Sequence, residues 1–147
     1  MSILEEGLSE HPNSVTLLIC SGEVHSQAGD MVKALKSFKR AHALDGRNPL
    51  PYVNAARTYQ QLGQYSTASH HLELAIALDP ALSMTRVDVA QNHSHEGRTQ
   101  EALDMLQTAL LLARQVSEIR DVLTAINVTK MQLALEKKGL YCPNSVR

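Results

Sequence analysis

The side chains of this chain that could hold a metal or supply a nucleophile are seven histidines and two cysteines, and their spacing speaks against both kinds of chemistry. His70 and His71 are adjacent and His93 and His95 stand two apart, whereas two ligands on one helix face need a spacing of three or four. The histidines therefore read as solvated surface groups, with His25 and His93 at places that predict partial burial. Cys20 and Cys142 form no Cys-x-x-Cys pair, so neither a zinc site nor a disulfide framework is set up, and a reducing compartment fits. Cys20 reads as a small buried hydrophobe rather than a reactive groove thiol. No glycine-rich phosphate loop, nucleophile elbow or zinc helix motif occurs. These residues predict a non-catalytic protein with no metal and no cofactor. With 14 basic and 15 acidic residues and 3% aromatics, there is little to steer toward phosphates or stack on bases, which excludes nucleic acid as the expected partner. No apolar run is long enough to span a bilayer, and residues 1–13 carry Glu5, Glu6 and Glu10 in place of a basic, apolar leader. A length of 147 residues predicts one soluble domain.

What must position the remaining side chains is a repeat. Gly29, Gly63 and Gly97 recur every 34 residues, in step with Ala34, Ala68 and Ala102 and with Ala41, Ala75 and Ala109. Counting each glycine as the fifteenth place, the eleventh holds His25, Tyr59 and His93, the twenty-fourth Phe38, Leu72 and Leu106, and the thirtieth Leu44, Leu78 and Leu112. This pattern resembles tetratricopeptide repeats, which implies an all-α, right-handed solenoid of antiparallel helix pairs. The glycines predict helix stops at positive φ, and the alanines predict close helix crossings.

The register sets repeats at 15–48, 49–82 and 83–116, with helices at about 15–28, 31–44, 49–62, 65–78, 83–96 and 99–114. Val15, Thr16, Leu17, Leu18, Ile19 and Cys20 favour a strand taken alone, but repeat packing predicts a helix there. After the third repeat, Ser117 is the predicted N-cap of a capping helix over 117–139 along which Ile119, Val122, Leu123, Ile126 and Leu133 recur. Residues 140–147 read as a tail. Counting back from Phe38, Ala41 and Gly46 reaches Leu4, Gly7 and Pro12, so residues 1–14 read as the second half of a truncated repeat. The chain is expected to be the C-terminal end of a longer array, with a specialised half-cap as the alternative.

The C-terminal stretch carries a narrower likeness. Leu112, Ala113 and Arg114, then Glu118, Gln132, and Lys137, Lys138, Gly139 and Leu140 resemble the end of the large tetratricopeptide import receptor of the mitochondrial outer-membrane translocase. Asn48, Pro49, Leu50, Pro51 and Tyr52 with Asn54 are also similar to repeats of that receptor. Val128 and Thr129 replace the family's paired alanines, and the tyrosine before the glycine is missing. The resemblance implies a cytosol-facing receptor at the mitochondrial outer membrane that holds unfolded precursors, with an upstream anchor and other translocase subunits as partners. The alternative is a cytosolic tetratricopeptide scaffold or co-chaperone adaptor.

In such repeats the second, fifth, sixth and ninth places of each first helix face the concave groove. Here they are Thr16, Ile19, Cys20 and Glu23, then Leu50, Val53, Asn54 and Arg57, then Met84, Val87, Asp88 and Gln91. Ile19, Val53 and Val87, with Leu50 and Met84, predict an apolar strip able to hold peptide segments, unless they pack inside the array. The related carboxylate clamp for chaperone tails needs lysine, arginine and asparagine at these places. Only Asn54 agrees, while Ile19, Glu23, Met84 and Asp88 stand where the others belong, so no clamp is expected.

Overall fold

The computed structural model describes residues 2–140, and among them are eight α-helices and no strand. They are α1 (Ile3–Glu10), α2 (Val15–Gln27), α3 (Met31–Leu44), α4 (Leu50–Gln61), α5 (Tyr65–Leu78), α6 (Ser83–His95), α7 (Thr99–Leu112) and α8 (Val116–Lys137). The fold is all-α, and α2 to α7 fall close to the six helices expected from the repeat. Cys142 and, beyond Leu140, the expected tail lie outside the described residues. Where the sequence predicts one domain, the chain divides into two compact units, Met1–Leu78 and Asp79–Arg147. Repeat chains bury each helix mainly against its sequence neighbours, so compact units form locally around helix pairs.

In the first unit, Ser2 and Glu5 cap α1 reciprocally. The Ser2 hydroxyl accepts from the Glu5 N–H at 3.3 Å, and the Glu5 carboxylate accepts from the Ser2 N–H at 2.8 Å. The strand-forming run at the start of α2 is helical because Ser14 Oγ accepts from the Leu17 N–H at 3.4 Å and because Leu18 and Ile19 bury against Ala41, with Leu8 and Val15 alongside. Asp30 caps α3 by accepting from the Lys33 N–H at 3.2 Å. Pro49 and Pro51 occupy the start of α4, where a missing N–H matters least, and Asn48 Oδ1 accepts from the Leu50 N–H at 3.0 Å.

The turn inside each helix pair repeats one geometry. Gly29, Gly63 and Gly97 have φ of 84°, 73° and 78°. The residue after each glycine donates its N–H to the eleventh-place carbonyl: Asp30 to His25 at 2.8 Å, Gln64 to Tyr59 at 2.9 Å and Arg98 to His93 at 2.7 Å. That is the helix-ending bond a left-handed glycine permits. The six signature alanines are fully buried, and His25 and His93 are half-buried as expected. A third small-residue place went unread in the sequence: Gly22, Ala56 and Ala90 share the eighth place and are all buried. At Gly22 a Cβ would stand 2.3 Å from the Phe38 ring.

In the second unit, Val87, Ala90, Leu103, Leu106, Val122 and Ile126 form the core. Helix α8 starts one residue earlier than its expected cap, and Ser117 lies inside the first turn. Gln115 holds the N-cap place instead, and the Glu118 carboxylate accepts from the N–H groups of Arg114 at 3.0 Å and Gln115 at 3.4 Å. Those donors hold the Glu118 carboxyl below its ordinary range. Of the apolar residues expected to recur along α8, Val122 and Ile126 are buried and Leu133 partly so, while Ile119 and Leu123 remain exposed.

Candidate functional site

The twelve residues expected to face a groove do not share one environment. Thr16, Cys20, Glu23, Leu50, Arg57 and Gln91 are exposed, Asn54 and Met84 are half-buried, and Ile19, Val53, Val87 and Asp88 are buried. Ile19 is covered by Leu18 and Ala41 of its own unit, and Val87 by Ala90, Leu106 and Val122 of its own. Cys20 is exposed, a correction to its expected burial. Leu18, Ile19, Ser21 and Gly22 form the buried face of α2, and at ~100° per residue Cys20 falls on the opposite side.

In the first unit, the α2–α4 face is closed by polar groups that satisfy one another. Asn54 Nδ2 donates to Glu23 Oε1 at 2.8 Å, and Ser26 Oγ donates to Gln61 Oε1 at 3.1 Å. Thr58 Oγ1 donates to the Asn54 carbonyl at 3.0 Å. The recess left there, which Arg57 and Phe38 also line, is ≈ 250 Å³.

The second unit holds a roomier and more apolar groove, ≈ 410 Å³, between α6 and α8. Helix α6 supplies Met84, Val87, Gln91 and Ser94, a seam at helical spacing, with Ala90 and His95 beside it. Leu106 of α7 contributes to the floor. Helix α8 supplies Asp121, Ala125, Val128 and Gln132, again one seam, with Thr124 and Thr129. This seam lies next to the buried face made by Val122, Ile126 and Thr129. Val128 is 52% exposed and leaves apolar surface open to an occupant. Three of the expected residues, Met84, Val87 and Gln91, line this groove, while Glu23, Asn54 and Arg57 line the polar recess. The α8 wall was missed because it lies outside the repeat; its four-three-four spacing was the available signal.

No helix among the described residues is long and apolar enough to cross a membrane. The described histidines, cysteine and carboxylates form no cluster able to hold a metal.

A family model described as tetratricopeptide repeat matches residues 25–86. Cellulose synthase operon protein C of Pseudomonas fluorescens (strain SBW25) is 31% identical over 84 residues, covering 57% of this chain. The chain spans 6% of the length of that curated relative. Among solved structures, the TPR2B domain of yeast Sti1 in its pHsp70 complex superposes with a TM-score of 0.73 at 18% identity, over 80% of this chain and 97% of that one. MamA gives 0.70 at 20% identity, over 93% and 75%. The first TPR of Spaghetti (RPAP3), bound to the HSP90 peptide SRMEEVD, gives 0.70 at 19% identity, over 82% and 93%. The fold is that of tetratricopeptide repeats.

Proposed function

We propose that this chain is a non-catalytic protein-binding module that takes an apolar segment of another polypeptide into the α6–α8 groove. The observation that carries this is the half-exposed Val128 beside Met84, Val87 and Ala125, with Gln91, His95 and Gln132 around them. An apolar floor with amide groups nearby fits segments of varied sequence, since little in it demands one particular charge.

Within that role, the reading favoured is a receptor for unfolded mitochondrial precursors on the cytosolic face of the outer membrane. Its support is that the residues resembling the import receptor, Leu112, Ala113, Arg114, Glu118 and Gln132 among them, lie at the end of α7, in the connection after it and in α8, the helix that walls the groove. The second reading is a chaperone-tail adaptor, favoured by the chaperone peptides in the yeast Sti1 and Spaghetti structures. The side chains oppose it. Ile19 is buried, Glu23 already holds the Asn54 amide, and Met84 and Asp88 offer no cation, so a tail carboxylate would meet like charge.

The test measures capture of a fluorescent unfolded carrier precursor by the wild-type chain and by Val128→Asp. An exposed site leaves stability within about 0.5 kcal/mol, so the expected tenfold or greater loss of capture reports on the groove. Unchanged capture contradicts the assignment. Aspartates at Val53 or Val87 are poor tests, because an unpaired charge at a buried site unfolds the unit. Micromolar binding of a Glu-Glu-Val-Asp peptide would instead establish the adaptor.

A further inference from the structure

The first unit carries a second, larger cavity of ≈ 510 Å³ on another face of α4, between α3, α4 and α5. Its chemistry differs from that of both grooves. The rings of His42, Tyr52, His71 and Tyr59 follow one another at centroid separations of 4.7, 6.4 and 5.1 Å. Two hydrogen bonds hold this array. Tyr52 Oη and His42 Nδ1 lie 2.9 Å apart, and His71 Nδ1 lies 2.9 Å from the Thr67 carbonyl. A carbonyl oxygen only accepts, so Nδ1 is the protonated nitrogen of His71 and its ring orientation is set. Rings fixed beforehand lose little freedom when a partner ring enters.

The two charged side chains that line the cavity have one sign. Lys36 and Lys39 of α3 line it, with His42 and His70, and no aspartate or glutamate is among the described lining residues. The geometry points to a second binding site here, for an acidic peptide segment that presents one aromatic side chain. The aromatic side chain packs against Tyr52 and Tyr59 in edge or offset geometry, the flanking carboxylates pair with Lys36 and Lys39, and a basic segment is repelled. A volume of ≈ 510 Å³ is in the range of ligand pockets, ~300–1,000 Å³. This site goes beyond the α6–α8 reading, since its occupant has the opposite character and its residues belong to the other unit.

The test titrates the isotope-labelled full chain with three peptides, Glu-Asp-Phe-Glu-Asp, Glu-Asp-Ala-Glu-Asp and Lys-Lys-Phe-Lys-Lys, and follows backbone amide shifts. The first peptide is expected to move the amides of Leu35, His71 and Leu74 and to bind at least tenfold more tightly than either other peptide. Rising salt should weaken it, as for paired exposed charges. Lys36→Glu with Lys39→Glu should reduce its affinity tenfold or more at unchanged helical circular dichroism. If that pair disturbs the fold, Lys36→Gln with Lys39→Gln should still weaken binding severalfold. No shifts, equal binding of the lysine peptide, or shifts confined to the α2–α4 or α6–α8 faces would overturn the site. The last pattern would leave the precursor groove standing alone.

Discussion

The α2–α4 face and the α6–α8 groove each start from the first helix of a repeat, α2 and α6, and end as different surfaces. In the first unit Gly22 lets Phe38 press against α2, and Glu23, Ser26, Asn54 and Gln61 pair across the opening. In the second, Ala90 and Leu106 hold those eighth and twenty-fourth places, and α8 stands at the side with Ala125 and Val128. The repeat thus fixes where a groove can form. The occupants of a few exposed places decide whether it is filled from within or left for a partner.

The largest expected effect tests the shared register. Gly22→Leu should destabilise the chain by about 1–3 kcal/mol in urea unfolding, because even a Cβ would stand 2.3 Å from the Phe38 ring. Ala90→Leu should lose less, since its side chain can extend into the ≈ 410 Å³ groove, and it should block precursor capture there. Equal losses at the two sites would break the comparison.

A smaller effect concerns the polar side. Glu23→Ala removes the acceptor of the Asn54 amide, and at an exposed position the stability change should stay below about 1 kcal/mol. Binding in the α6–α8 groove should not change. A weakened capture by this variant would show that the polar face takes part.

The smallest effect is a pH dependence of the groove's wall. The N–H groups of Arg114 and Gln115 hold the Glu118 carboxyl below its ordinary range. The cap is therefore fully present above the unfolded value of about 4.3 and is lost as pH falls through the lower folded value. The protection of the Arg114 and Gln115 amides from exchange, taken relative to the intrinsic rate at each pH, should fall on acidification, and Glu118→Gln should remove that dependence. An unchanged acid response in the variant would show that another group controls the helix start.

The parts of the fold that read directly from sequence are those where geometry restricts residue type. Positive φ marks Gly29, Gly63 and Gly97, and full burial at close crossings marks Ala34, Ala68, Ala102 and their partners seven residues on. The eighth place was equally restricted, yet it holds glycine once and alanine twice, so its identity is less uniform than its size. The site was less legible. A place in the repeat tells which way a side chain points and says nothing of what covers it; Ile19, Val53 and Val87 are buried while Cys20, one residue past Ile19, is exposed. The α8 wall follows no repeat, so only its own helical spacing marked Asp121, Ala125, Val128 and Gln132. Ser117 failed as a cap because the helix already begins at Val116 with Gln115 in the N-cap place, which leaves Ser117 inside the first turn.

The most direct measurement is photo-crosslinking of an unfolded carrier-precursor segment, bearing one benzophenone side chain, to the full chain. Crosslinks at Met84, Val128 and Gln132, competed by unlabelled precursor, are the predicted result. Crosslinks concentrated at Glu23, Asn54 and Arg57, with none along α8, would contradict the claim that the open apolar groove is the binding site.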